Sequence, residues 1–419
     1  MKTTLFTCLL ALCVACAAPR RERLKDVAEV TDVDFKLNDA EKQLVTGSNH
    51  FGLRLFQAMV QAHPDSSMVF SPMGVVYSLN MLNNGTDGET LAEISKALGY
   101  AEGDLLRVNE LCRTFLVAQR KKYRIKGQQT DDYMHTANLL ATIGEDVVKG
   151  SFKEVLASNY FADAISATSV NQLQQQANQW ISEQTEGKVK QLPLKLSADA
   201  QACLANTIVF QGGWAQCFDE ESTRKAPFYC EDGRIDSVWM MSRHLNDDMF
   251  KGRYDEHFIA LRMPYRGQFN ITMLLPVEGQ PLINLVKQLD ARMLQEINNS
   301  LVTFDEVHVR IPRMRLNTSV ALKALLAQIG IKQAFSQTAD LSKMSSEALR
   351  VNDIVQQTQF SLDERGTTAI SSTASELSAL SDILQPRELH FTANRPFLYY
   401  ISDGFGNVCF IGQYCGGKR

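Results

Sequence analysis

The sequence predicts an α+β fold in which helices pack against antiparallel or mixed sheets within one large domain. Three observations predict it. Apolar residues recur at helical spacing early in the chain, and short β-branched apolar runs follow later. From about residue 38 to about residue 365 no repeat, low-complexity break or Pro/Gly linker divides the two. That order of elements does not suit a doubly wound sheet.

Composition sets the limits. With 419 residues, 45% hydrophobic and 21% charged, the chain can bury a large core, so disorder is not its default state. A net charge of -4 and a pI near 6.0 give no general attraction to nucleic acid or to an anionic membrane.

Residues 1–15 have the form of a signal sequence: Lys2 supplies positive charge and Leu5 to Val14 form a short apolar run. That run is too short to span a bilayer. Val14, Ala15 and Cys16 resemble a bacterial lipobox, in which an acylated Cys16 becomes the new N-terminus; plain cleavage after Ala17 or Ala18 is the alternative. Residues 16–37 are charged, aromatic-poor and aperiodic, as expected of a flexible tether, and the folded unit is expected over 38–419.

Phe51, Leu53, Leu55, Phe56, Met59 and Val60 fall at helical spacing. Ser71 and Pro72 form a cap and first turn ahead of a second stripe through Val75, Leu79 and Leu82. Around Leu111, Phe115 and Leu116 a third helical stretch leads into Arg120, Lys121, Lys122, Arg124 and Lys126. A basic last turn that complements the helix dipole explains that cluster; a polyanion site is the competing reading. Ala205 to Phe210, Phe269 to Leu275, Val307 to Ile311 and Val408 to Ile411 read as strands, and Val320 to Leu326 reads as helix.

Of nine cysteines, Cys8, Cys13 and Cys16 belong to the leader region. Cys112, Cys203, Cys217, Cys230, Cys409 and Cys415 are too widely spaced for a small disulfide scaffold or a zinc site, and most are expected to be buried thiols. The seven histidines offer no local pair for a zinc-protease helix, and no nucleophile elbow, Walker loop or dinucleotide fingerprint is present. No enzyme, metal or cofactor is expected.

The unusual stretch runs from Glu364 to Leu380, ERGTTAISSTASELSAL, with charge only at Glu364, Arg365 and Glu376. By composition it is a solvated Ser/Thr/Ala connector. At period two, however, Thr367, Ala369, Ser371, Thr373, Ser375 and Leu377 are all small or apolar and uncharged. A one-residue slip would bury Glu376 instead, so the register is defined if the segment joins a sheet. It holds no proline, and every residue can donate to a ladder.

From about residue 45 to the C-terminus the chain resembles the serpin family. The resemblance is carried by Phe70, Ser71 and Pro72 with Met81, Leu82 and Gly85; by Asn178, Trp180, Ile181, Thr185, Gly187 and Lys188; and by Asn206, Phe210, Gly212 and Trp214. Pro227, Phe228, Met240 and Met241 follow, then Glu364, Gly366, Thr367 and Ala369 at the hinge, then Asn394, Arg395, Pro396 and Phe397. It implies helices packed around three β-sheets, with an exposed reactive-centre loop.

It further implies a monomeric suicide inhibitor of serine or cysteine proteases. The protease forms an acyl-enzyme with the loop, and the hinge (Glu364, Gly366, Thr367, Ala369, Ser371, Thr373) inserts as a strand, dragging the protease across. Counting forward from Glu364 places the cut between Leu380 and Ser381, because an inserted strand of about fourteen residues spans roughly 45 Å. Counting back from Phe391 places it between Asp382 and Gln385. Leu380 suits chymotrypsin-like, elastase-like or papain-like enzymes. Ser71, Gly74, Asn206 and Gln356 fall in the region that lets the sheet open; many serpins carry His where Gln356 stands and often Ser where Gly74 stands. The cluster from Arg120 to Lys126 falls where some serpins bind sulfated polysaccharides. A carrier serpin that does not inhibit is the alternative function.

Overall fold

The computed structural model describes residues 36–120, 124–125, 128–129, 132–144, 147–192, 194, 201–245, 249–367 and 387–417. The leader, Cys16 and the tether up to residue 35 therefore lie outside the described residues.

Helix α1 (Asp39–Ala62) starts at a reciprocal capping box formed by Asn38 and Glu41. Strand β1 (Met68–Phe70) leads into α2 (Pro72–Asn83), whose N-cap is Ser71 and whose first turn holds Pro72. Every residue of α2 is buried, so this helix runs through the core. Helices α3 (Gly88–Leu98) and α4 (Leu105–Arg120) follow, then the short strands β2 (Arg124–Ile125) and β3 (Gln128–Gln129). Next come β4 (Tyr133–Ile143), α5 (Gly150–Tyr160), β5 (Asp163–Ala167), α6 (Val170–Gln184) and β6 (Ala202–Gly213).

The middle of the chain is β7 (Arg224–Tyr229), β8 (Ile235–Leu245), β9 (Lys251–Tyr254), β10 (Phe258–Pro264) and β11 (Asn270–Pro276). Helices α7 (Leu282–Gln288) and α8 (Ala291–Ser300) precede β12 (Val302–Thr303), β13 (Glu306–Pro312), β14 (Met314–Ala321) and α9 (Lys323–Gln328). Strands β15 (Val351–Asp363), β16 (Gly366–Thr367), β17 (Glu388–Thr392), β18 (Phe397–Ser402) and β19 (Val408–Tyr414) complete the fold.

Among the described residues, three large sheets form beside the β2–β3 pair: two are mixed, and the third is wholly antiparallel. The central one runs β14-β15-β16-β6-β4-β5, a second runs β17-β13-β8-β7, and a third runs β1-β19-β18-β11-β10-β9-β12. One apolar core lies under the helices of the first half and includes Phe56, Leu79, Leu204 and Ile354. A second joins inward faces of all three sheets through Phe210, Met241, Val309, Phe360 and Phe410.

One expected element is corrected. Val320 and Ala321 are not helical but end β14, pairing with Gln356 and Val355, and α9 starts only at Lys323. The ladder to β15 takes up backbone groups that a helix would otherwise have used. Cys112, Cys203, Cys230, Cys409 and Cys415 are buried free thiols and Cys217 is half-buried. Among the described residues, no helix is long and apolar enough to cross a membrane.

Candidate functional site

The site forms where β6 and β15 part. These strands pair directly and in parallel from Ala202↔Val351 to Val209↔Gln359. Beyond that point they diverge, and the chain turns at Glu364 and Arg365 and re-enters the gap as β16. Gly366 pairs with Asp363 on one side and Gly213 on the other; Thr367 pairs with Leu362 and Gly212. Two residues thus occupy a strand position antiparallel to both neighbours.

The turn is held by specific groups. Trp214 N donates to Arg365 O (2.9 Å), Phe218 N to Glu364 O (2.8 Å) and the Trp214 indole to Asp363 O (2.9 Å). Trp214 stacks on Tyr265 at 4.5 Å, and the Tyr265 hydroxyl lies 2.7 Å from Thr367 Oγ1. Gly366 has φ +143°, and a Cβ there would sit 2.0 Å from Gly212 O, so only glycine fits.

Glu364 is 3% exposed and paired with Arg313, whose Nη2 lies 2.7 Å from Oε1 and whose Nε donates to both oxygens. Thr223 Oγ1 also donates to Glu364. Burial pushes the carboxyl up, but these donors outweigh it and hold Glu364 below its ordinary 4.5.

Lower in the sheet, the four residues expected to control its opening meet at one point. Asn206 and Gln356 are register partners across β6 and β15, and Gln356 Nε2 donates to Asn206 Oδ1 at 3.3 Å. Gln356 also accepts from Ser71 N (2.8 Å) and donates to Ser71 O (3.0 Å), clamping the start of α2 to the sheet. Ser71 Oγ caps Gly74 N and donates to Cys409 O. Asn206 Nδ2 donates to Asn138 Oδ1 on β4 at 2.7 Å. A Cβ on Gly74 would lie 2.2 Å from Asn206 Oδ1 and 2.7 Å from Gln356 Nε2. The amides of Asn206 and Gln356 therefore fill the space in which a side chain at position 74 would stand.

The sequence profile described as Serpin (serine protease inhibitor) matches residues 46–416. The chain belongs to the serpin family. The leukocyte elastase inhibitor of Equus caballus is 29% identical to it over 399 residues, covering 89% of this chain and 99% of that protein. The native state of Tengpin, a thermophilic serpin, is similar with a TM-score of 0.79 at 21% identity, over 93% of this chain and 97% of that one. Thyroxine-binding globulin in complex with thyroxine is similar at 0.77 and 20%, over 90% and 99%. The helices and three sheets expected of a serpin are those observed, and the family is one of protease inhibitors, not of catalysts.

In this serpin Glu364, Gly366 and Thr367 lie together at the mouth of the gap, whereas Ala369, Ser371, Thr373, Leu380 and Ser381 fall within residues 368–386, outside the described residues. Lys121, Lys122 and Lys126 are also outside them, and of Arg124 only the backbone is described. Helix α4 ends at Arg120, so the basic last turn holds that residue alone. Arg120 does not join a surface patch. Its guanidinium donates to Thr136 O and lies over the Phe161 ring at 5.5 Å, and burial lowers its pKa to about 10. Sequence reasoning missed Arg313, Thr223 and Tyr265. Nothing near them marks them; Arg313 meets Glu364 only because β14 follows β13 and returns along β15.

Proposed function

We propose that this serpin inhibits serine or cysteine endopeptidases by a cleavage that lets the loop continue β16 down the central sheet. The observation that carries this reading is the two-residue strand Gly366–Thr367, already seated between β15 and β6. The protease nucleophile adds to the Leu380 carbonyl and the bond to the Ser381 nitrogen breaks. The protease's general acid protonates the departing amine, leaving an ester or thioester. Thr367 is buried, and Ala369, Ser371 and Thr373 share its face at period two, so the strand can extend without burying charge. Extension must part the β6–β15 ladder and its Asn206–Gln356 contact, and replaces parallel pairing with antiparallel pairing on both sides.

Mixing the protein with chymotrypsin, elastase and papain tests this. An SDS-stable complex with release of a C-terminal peptide beginning at Ser381 is the expected result. Cleavage with no complex favours a carrier or binding serpin, and a peptide beginning at residue 383, 384 or 385 moves the bond to the alternative site. The large apolar Leu380 supports a protease of apolar specificity as the partner.

The leader supports export, with Cys16 as a lipid anchor; acylated Cys16 at the N-terminus of the mature protein is the mass-spectrometric signature. Lys121, Lys122, Arg124 and Lys126, without Arg120, are the remaining basis for a sulfated-polysaccharide site. Retention on heparin that is lost when those four become Ala tests it.

A further inference from the structure

Three histidines far apart in sequence form a ladder across the second sheet. His308 on β13 is the register partner of His244 on β8 and of His390 on β17. The rings stack in parallel, with centroids 4.2 Å apart at 6° for His244–His308 and 4.6 Å apart at 5° for His308–His390. Glu306 and Glu388, themselves register partners, lie two residues before His308 and His390, on the same face of the sheet. Glu306 Oε2 is 3.1 Å from His244 Nε2 and 3.6 Å from His308 Nε2. His390 Nε2 is 2.8 Å from Glu388 Oε2. The donor atoms of His244, Glu306 and His308 all lie within 4.8 Å of one another, as do those of His308, Glu388 and His390.

We propose that this ladder binds one divalent ion of the zinc class, held by His244, Glu306 and His308 with the fourth position taken by water. Zinc sits about 2.0–2.1 Å from imidazole nitrogen and about 2.0–2.2 Å from carboxylate oxygen, which sets tetrahedral ligand-to-ligand edges of about 3.3–3.5 Å. The two spacings at Glu306 Oε2 bracket that edge, and ligation turns the His244 and His308 rings out of their parallel stack, because parallel rings cannot both aim a nitrogen lone pair at one ion. Two imidazoles and a carboxylate suit zinc and its late first-row neighbours rather than magnesium or calcium. The ligands are open to an arriving ion, since the His244 side chain is 55% exposed and that of His308 37%. His390, stacked on the opposite side of His308, lies outside this ligand set. The ion would join β8 to β13, and β13 is the strand on which β17 docks where the chain returns after residues 368–386. Inhibitor and carrier functions are equally compatible with this site.

The test uses the full-length protein without a histidine tag. Calorimetric titration with Zn2+ is expected to give one saturable site per chain, with a thermal midpoint that rises as the site fills. Titration with Co2+ is expected to give the visible absorption of a tetrahedral ion. His244→Ala, Glu306→Gln and His308→Asn are each expected to weaken binding at least about tenfold, while His390→Ala and the remote His50→Ala keep it. No saturable Zn2+ uptake by the unaltered protein, or uptake undiminished in His308→Asn, overturns the proposal. Loss in His390→Ala with retention in His244→Ala overturns the ligand set. If a variant fails to fold, the Co2+ spectrum of the unaltered protein decides, and its absence counts against the site.

Discussion

Gly366 and Glu364 do opposite work within three residues of each other. Gly366 lets the backbone approach Gly212 closely enough to pair, and Glu364 fixes the turn before it by an ion pair that is buried on the glutamate side and open on the Arg313 side. Gly366→Ala puts a methyl group into the Gly212 carbonyl at a φ that L side chains rarely adopt. It is expected to destabilise the protein by at least about 2 kcal/mol and to leave β16 unpaired. Denaturant unfolding reads the first effect, and a rise in cleaved product over complex reads the second. For Glu364 the folded pKa lies below the ordinary 4.5. Its contribution is therefore complete above that value and lost as pH falls through the lower folded one. Glu364→Gln is expected to cost about 1–2 kcal/mol near neutrality, at the lower end for a charge-assisted contact because Arg313 is part-exposed. Stability measured from about pH 6 down to about pH 3 should fall less steeply in that variant; an unchanged acid limb would detach Glu364 from the effect.

At the scale of elements, the seam between β6 and β15 shows that Gln356 and Gly74 form one arrangement. Gln356 is long enough to reach both backbone groups of Ser71, and its amide occupies space that only a glycine at position 74 leaves open. Gly74→Ser alone is expected to overpack the seam by about 1–3 kcal/mol. Gln356→His alone removes an amide that satisfies Ser71 N and O together, again costing about 1–3 kcal/mol for the buried groups left unpaired. If the two positions are coupled, the double variant recovers part of the sum, by at least about 0.5 kcal/mol in a double-mutant cycle. Strict additivity would show that the positions do not communicate through the seam. The same neighbourhood explains why Val320 was misread. Leu322, Leu325 and Leu326 fall at helical spacing, but Val320 stands two residues before Leu322, a strand spacing, and β15 lies alongside and takes its backbone into the sheet.

At the scale of the whole molecule, legibility follows range. The helix start at Ser71 and the strand that runs up to Trp214 were readable because caps, periodicity and family motifs are local. Arg313, Thr223 and the three-histidine ladder were not, because β-pairing joins residues from distant parts of the chain and leaves no mark at either end. The same long-range pairing makes the central sheet able to change. β6 and β15 touch directly along their lower parts yet already admit β16 above, so the sheet holds one strand fewer than its pairing geometry accommodates. Completing that strand adds ladder hydrogen bonds on two sides of the inserted segment, each contributing about 1 kcal/mol net. A chain cut after Leu380 is therefore expected to unfold at a distinctly higher temperature than the intact one. Calorimetry of intact and cut protein checks this, with Thr373→Arg as the control. Arginine at 373 places a charge on the face shared with buried Thr367, so this variant should be cut normally but gain little stability. If it gains as much as the unaltered protein, the segment does not enter the sheet in this register.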